Sequence, residues 1–368
     1  PRNRIRRLQH QLLSELENMA KVVRFSYNGL RDYISGQGAQ EPSLPVNHAT
    51  LFRHSISMGQ YAGCSTSFYG LLSNYSTVMA ALKRSHGHYQ ISPFYVGEET
   101  SFKAGISFKL GMVAASIVSE QAYGAPHLFH LNDCCLKVHP QGGAHPDFFA
   151  PASQYGSMLV EAKGTILPRV PPRRVSHAVN QLNAVKTITY GSEPPTPPAI
   201  RRVICSSFSH KGHETHLEFH DIDPDEEGRV ELSFDIDEAI TQHYWPWVQI
   251  LSYSYLDLHQ RYTSNGLSYR VCDFTLGIKV GIEEELCGVL FQKNGEPNET
   301  VRYDAVKKKL GSTAIRSLLN KRVERTARVH DMSISQGLDG ILVEMPSDGD
   351  LTMVFGNEIQ FEDLKPRR

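Results

Sequence analysis

The chain has 368 residues, is 40% hydrophobic and 21% charged, and carries a formal net charge of −1. That balance suits a folded globular protein with room for one large domain or two to three smaller ones. It excludes a chain that holds polyanions by overall charge alone.

The charge is unevenly spread. Residues 1–35 hold seven Lys/Arg against three acids, residues 302–328 nine against two, and residues 214–238 eleven acids against one Arg. A neutral total therefore hides basic surfaces beside an acidic one. The six cysteines (Cys64, Cys134, Cys135, Cys205, Cys272 and Cys287) include no C-x-x-C pair. They read as free thiols in a reducing compartment, not as a disulfide frame or a zinc knuckle. No run approaches the roughly 18–20 apolar residues of a membrane span. The basic N-terminus lacks the apolar stretch of a signal peptide. A cytoplasmic protein without a membrane partner is expected.

Residues 3–34 predict a long helix, because Leu8, Leu12, Leu13, Leu16, Met19, Val22 and Val23 recur at helical spacing. Arg2, Arg4, Arg6 and Arg7 crowd its start, where the helix dipole disfavours cations; they either pair with distant acids or touch phosphates or a partner. Residues 35–48 read as a linker and 66–84 as a second helix, so 1–90 are expected to form a helical N-terminal region. Helical spacing returns from Thr100 to Tyr123, with Glu120 at or beside the apolar stripe and Gly124 and Pro126 as a stop. Residues 127–131 and 134–138 suit a strand or hairpin, 145–149 and 157–166 two strands, 173–188 a helix, and 200–208 a strand beyond the stiff 191–198 connector. This order predicts a mixed α/β sheet over residues 91–212.

Residues 213–368 predict a C-terminal α/β region. Residues 217–219 and 230–234 read as strands and 237–262 as an aromatic-rich helical stretch broken or kinked at Pro246. Residues 269–280 and 287–291 read as strands, 304–329 as a basic helix, and 341–345 with 351–355 as a terminal hairpin. The basic helix carries Lys307, Lys308, Lys309, Lys321, Arg322, Arg325 and Arg328. It either grips a nucleic-acid backbone or balances the acidic stretch. The region is a candidate sensor, partner-binding or nucleic-acid-binding module.

The run from His145 to Lys163 carries the chemistry. Side chains alternate along a strand, so Leu159, Glu161 and Lys163 share one face and Met158, Val160 and Ala162 the other. A carboxylate and an ammonium then stand about 7 Å apart. Asp147, 14 positions before Glu161, is separated from it by enough chain for a strand and a turn. Two acids beside one Lys make a site for a divalent cation and an activated water.

Pro146-Asp147 and Glu161-Ala162-Lys163, with the order helix, strands, helix, strand over roughly residues 100–210, resemble the core of the PD-(D/E)XK nuclease superfamily. The resemblance implies a restriction-endonuclease-like α/β core. It implies a Mg²⁺-dependent endonuclease (Mn²⁺ substituting) in which Asp147, Glu161 and the Ala162 carbonyl hold the metal. Lys163 orients the water and stabilises the transition state. Glu120 matches a first-helix Glu that joins the metal site in the family, and Gln181 matches a Gln on the helix after the Lys strand. DNA is the implied substrate and restriction or phage defence the implied setting. Gating by a protein partner or a small signal, and a homodimer on duplex DNA, go with it. Arg173, Arg174 and His177 are candidate phosphate contacts, beside Lys307, Lys308, Lys321 and Arg325 of the basic helix.

Two other readings stay open. One is a nuclease fold without activity, serving as a nucleic-acid-binding protein or scaffold. The other is a zinc hydrolase using His210, His213, His216 and His220, although H-E-T-H spaces its two His three apart and so is not H-E-x-x-H.

Overall fold

The apolar residues Met158, Val160 and Ala162 alternate along 158–165, and Ile200, Val203, Ile204 and Cys205 mark 200–207; the two stretches form strands side by side at the centre of the fold. The computed structural model describes residues 22–24, 43–58, 68–85, 88–131, 136–138, 145–190, 194–208, 216–221, 228, 230–253, 260–264, 267–275, 277–291, 306, 325–329 and 332–346. The chain opens with β1 (Val22–Arg24), β2 (Ser43–Pro45), α1 (His48–Met58), α2 (Phe68–Ala81), β3 (Leu82–Ser85), β4 (His88–Ile91) and α3 (Pro93–Gly97). It continues with α4 (Thr100–Tyr123), β5 (Phe129–His130), β6 (Leu136–Val138), β7 (Phe148–Ala150), β8 (Met158–Thr165), α5 (Pro172–Ala184), β9 (Val185–Tyr190) and β10 (Ile200–Ser207). Then come β11 (His216–Asp221), β12 (Val230–Phe234), α6 (Ile236–Tyr253), β13 (Gln260–Ser264), β14 (Leu267–Thr275), β15 (Ile278–Glu283) and α7 (Glu284–Phe291). The last described elements are β16 (Arg325–Val329), β17 (Met332–Gln336) and β18 (Ile341–Pro346).

A five-stranded sheet in the order β11-β10-β8-β7-β5 forms the centre. β8 and β10 run parallel, while β7 with β8, β5 with β7 and β11 with β10 are antiparallel. A parallel pair needs a crossover, and α5 supplies it. β9, also within that crossover, leaves for a three-stranded sheet, β6-β12-β9. Six antiparallel strands in the order β13-β14-β15-β18-β17-β16 make the C-terminal sheet. The fold is thus mixed α/β, with helices concentrated toward its N-terminal side.

Both faces of β8 are covered. Met158, Val160 and Ala162 share an apolar cluster with Leu110, Val113, Ala114 and Ile117 of α4. Leu159 belongs to the larger cluster with Ala178 and Leu182 of α5. That larger cluster runs from Ala49 to Met345 and so draws residues from each of the three segments expected from sequence. Helix α4 approaches β8 unusually closely at two glycines: a Cβ on Gly111 would come within 2.7 Å of the Gly164 nitrogen. Gly124, at φ 61°, ends α4 in the left-handed conformation a glycine adopts without strain.

Several expectations are corrected. Val22–Arg24 pairs with Ser43–Pro45 as a strand, not as part of a helix over 3–34; the rest of that stretch, apart from 22–24, lies outside the described residues. The helix beginning at Pro172 stops at Ala184, four residues early, because Val-Lys-Thr-Ile-Thr-Tyr is rich in β-branched residues and joins a sheet. α6 runs through Pro246 unbroken, and its expected extension to 262 ends at Tyr253, with Gln260–Ser264 a strand. Residues 287–291 are helical, favoured by Glu284 and Glu285 at the positive end of the helix dipole. Arg325–Val329 is a strand paired with β17, so the basic helix does not extend over it. Residues 351–355 lie outside the described residues. Cys205, Cys272 and Cys287 are free thiols, as expected. α4 is in fact long and apolar enough to cross a membrane by length and composition, but 56% of its apolar window is buried against the rest of the protein, as in a core helix.

A buried ionic cluster joins the N-terminal helices to the C-terminal sheet. The Arg53 guanidinium of α1 grips both oxygens of Glu120 on α4 and donates to Asp339 Oδ1 at 3.4 Å and Ser335 Oγ at 3.1 Å. Leu338 N–H donates to Glu120 Oε1 at 2.6 Å, and His243 Nε2 lies 3.0 Å from Asp339 Oδ2. Burial alone would push the Asp339 pKa up, but Arg53 and His243 hold its carboxyl well below the usual range. Removing one partner of such a cluster strands buried charge. Arg53→Met is expected to lower the unfolding free energy by about 3–5 kcal/mol, measured by urea denaturation; a loss below about 1 kcal/mol would class the cluster with weakly coupled surface pairs.

Candidate active site

Strand β8 carries Glu161 and Lys163 on the face that α5 covers, and β7 begins beside them. Phe148 pairs with Val160 and Phe149 with Leu159, so one step back along the register sets Asp147 next to Glu161. The two acids are locked reciprocally. Asp147 N–H donates to Glu161 Oε2 at 2.9 Å, and Ala162 N–H donates to Asp147 Oδ2 at 2.9 Å. Lys163 Nζ forms an ion pair with Glu161 Oε1. The same register sets Pro146 opposite Ala162, and proline offers the Ala162 carbonyl no N–H. The Pro-Asp sequence therefore replaces one rung of the ladder with a carboxylate, which accepts the Ala162 N–H.

Glu161 is fully buried, whereas Asp147 is half-buried and the Lys163 side chain is 15% exposed. Burial first, and the Asp147 charge second, push the Glu161 pKa up to about 7, against the pull of Lys163 and the Asp147 N–H. Asp147, Glu161 and the Ala162 carbonyl offer a donor set of oxygens only, which suits a hard divalent cation such as Mg²⁺. The raised Glu161 pKa reports first its burial and second the Asp147 charge, and a cation beside both carboxylates would offset the second. Among the described residues no group of three or more His, Cys, Asp or Glu is arranged to hold a metal ion.

Gln181 of α5 reaches the chain leading into this pair. Its Nε2 donates to the His145 carbonyl at 3.0 Å, while its Oε1 is buried with no partner among the described residues. His130, across from Phe148 on β5, also belongs here. Burial lowers its pKa, the Asp147 charge raises it and His145 lowers it, which places its ring near both. His127, His130, His139 and His145 precede the Pro-Asp pair in the sequence, and nothing there singles out His130. Arg174 Nη1 donates to the Gly164 carbonyl at 3.3 Å, which sets the start of α5 beside the end of β8. Arg173 and His177 are exposed on the same helix.

Glu120 is not brought to this site. Its helix packs on the opposite face of β8, through Gly111 and Gly164, and its carboxylate is taken by Arg53, His54 and the Leu338 N–H. Lys307, Lys308 and Lys321 lie outside the described residues, and Arg325 stands in β16 of the C-terminal sheet. Of the histidine cluster, His210 and His213 lie outside the described residues, and His216 and His220 belong to β11. No family model, curated protein or solved structure matches the chain.

A buried acid with a raised pKa makes stability depend on pH. The folded state holds the Glu161 proton to about pH 7, whereas the unfolded chain releases it near the ordinary glutamate value. This group's stabilising contribution is thus full below the unfolded value and is lost as pH rises toward 7. Glu161→Gln removes the titration. It is expected to raise the thermal midpoint relative to wild type at pH 8 by several degrees, a few kcal/mol at most, and to change it little at pH 5. Equal shifts at both values in thermal melts would refute the buried-charge account.

Proposed function

We propose that the chain is a Mg²⁺-dependent nuclease of the PD-(D/E)XK kind, with Asp147, Glu161 and Lys163 as its catalytic groups and DNA as its substrate. The observation that carries this reading is the reciprocal locking of Asp147 and the Glu161-Ala162 segment across β7 and β8, with Lys163 on the Glu161 side. The succession α4, β5, β7, β8, α5, β10 supports a restriction-endonuclease-like core: one antiparallel pair carries all three groups and a crossover helix returns the chain parallel to β8.

Phosphodiester hydrolysis needs an in-line water and relief of negative charge on the phosphate. Asp147, Glu161 and the Ala162 carbonyl would hold the cation. Bound there, Mg²⁺ or Mn²⁺ would acidify a water and offset the phosphate charge. Lys163 keeps an ammonium at the partly exposed edge of the same face, where it orients the attacking water and stabilises developing charge. Gln181 keeps the chain ahead of Pro146-Asp147 in place through the His145 carbonyl. Arg173, Arg174 and His177 present cationic or hydrogen-bonding groups to the phosphate backbone.

A second reading has its own support. Glu161 already spends one oxygen on Lys163 and the other on the Asp147 N–H, and two carboxylates fall short of a three-ligand cluster. That favours a silent nuclease fold that binds nucleic acid or partners. Cleavage of supercoiled and linear DNA with Mg²⁺ or Mn²⁺ separates the two. The nuclease reading expects metal-dependent cutting that falls by roughly 100- to 1,000-fold in Lys163→Ala and to background in Asp147→Ala. Undiminished cutting in both variants would remove the assignment, and absent cutting together with absent Mn²⁺ binding by calorimetry would establish the silent fold.

Cation binding requires the Glu161 carboxylate, whose pKa stands at about 7. Mn²⁺ affinity is accordingly expected to strengthen about tenfold between pH 6 and pH 8, and this pH dependence should vanish in Glu161→Gln. A flat profile in the wild type would place the cation elsewhere.

A further inference from the structure

Most of the large exposed apolar side chains among the described residues flank the end of β8 that carries Lys163. Among the described residues the large exposed hydrophobics are Phe94, Val96, Phe102, Phe108, Tyr155 and Leu167, at 38–55% exposure. All but Tyr155 gather around one junction. The carbonyl of Ser107 on α4 lies against Gly164 of β8, the residue after Lys163. Ser107 Oγ is 2.7 Å from the Tyr95 hydroxyl, which also donates to the Lys103 carbonyl at 2.7 Å. Tyr95 thus pins α3, with Phe94 and Val96 on either side of it, to the first turns of α4. Phe102 and Phe108 stand on those turns, and Leu167 follows Gly164 by three residues.

Charge marks the other side of the junction. Residues 162–192 contain no Asp or Glu and five Lys/Arg: Lys163, Arg169, Arg173, Arg174 and Lys186. Arg174 is tied to the Gly164 carbonyl itself. Protruding phenylalanines stand on one flank, with Glu98 and Glu99 between α3 and α4, and cations on the other, beside the site read above as phosphodiester-cleaving; such a surface has a specific complement. Cations take the phosphates, while exposed rings need the flat faces of bases. In a duplex those faces are already stacked, and only base edges and backbone remain accessible. Unpaired bases offer them freely.

We infer that the α3–α4 platform and the 166–174 segment form a track for a single-stranded polynucleotide, with Phe102 and Phe108 stacking on bases and Arg173 and Arg174 holding the backbone. The inference rests on the nuclease reading of the Asp147–Glu161–Lys163 site and assigns its substrate class.

The test measures binding and cleavage separately on the full chain. Fluorescently labelled 20-mers are titrated without divalent metal as single-stranded DNA, single-stranded RNA of the same sequence, and duplex DNA. Tighter wild-type binding to either single strand than to the duplex supports the track. So does a loss of about tenfold or more in single-strand affinity in the Phe102→Ala/Phe108→Ala double variant, with Tyr155→Ala, at the far end of β8, binding like wild type. Equal affinity for strand and duplex, or single-strand affinity unchanged in the double variant, overturns it. A double variant that alters the sedimentation of the protein but not its single-strand affinity reassigns the platform to protein contact and likewise overturns it. Cleavage in Mg²⁺ then distinguishes the two readings. Cutting of duplex without strand preference retains the nuclease and rejects the track. Single-strand binding lost in the double variant, in a protein that cuts nothing, retains the track and rejects the nuclease.

Discussion

Strand β8 is buried on both faces, and that constraint governs what its sequence does. A doubly covered strand normally reads as a continuous apolar run. Glu161 breaks the run at a position with no solvent to accept its charge. A lone buried carboxylate would neutralise or unfold the strand. The chain instead supplies Lys163 on the same face, the Asp147 N–H from the neighbouring strand, and a proline whose missing N–H lets Asp147 in. Asp147, Glu161 and Lys163 come from the β7–β8 hairpin, while His130 of β5 and Gln181 of α5 stand around it.

The same burial demands that α4 lie flat on β8. Gly111 and Gly164 make this geometry, because any side chain at either position would collide with backbone of the other element. The contact sits one residue from Lys163 and fixes the strand end that carries it. It also sets the first turns of α4 against Gly164, at the same strand end but on the face opposite Glu161 and Lys163. At the opposite end of the helix, Glu120 is delivered to Arg53 and the 337–340 turn. One helix therefore links a surface feature, the strand of the candidate site and an ionic latch to the C-terminal sheet.

Much of this was legible from sequence where local signals agreed with tertiary demand. Thr100–Tyr123 has helical spacing, a Gly stop and a buried destination, and all three concur. Residues 158–165 and 200–207 have strand composition and central positions. The grouping of Asp147, Glu161 and Lys163 followed from alternation plus one turn. Reading failed where partners decide. Val185–Tyr190 has apolar spacing compatible with a helix, and pairing with β12 makes it a strand. Val22–Arg24 is a strand only because Ser43–Pro45 lies beside it. Periodicity set Glu120 on the apolar stripe, where it is buried; the metal role implied by the resemblance fails because that stripe carries Glu120 to Arg53 and the 337–340 turn, not to Asp147 and Glu161.

Electrostatics separates the two buried clusters that sequence alone cannot tell apart. Each unites two acids with one Lys or Arg. In the Arg53 cluster, backbone N–H groups, His54 and His243 complete the oxygens of Glu120 and Asp339, and both acids are held below their ordinary pKa despite burial. Their charges are overcompensated, as in a structural ion-pair network, and nothing more is needed there. In the Asp147–Glu161–Lys163 cluster the balance runs the other way: burial and mutual repulsion exceed what Lys163 and one N–H return, and Glu161 is raised to about 7. Glu161 is thus left short of positive charge at a partly open sheet edge beside a stretch without acids, whereas Glu120 is fully paired inside the fold; a perturbation of that direction in such a place is what a functional-site candidate shows.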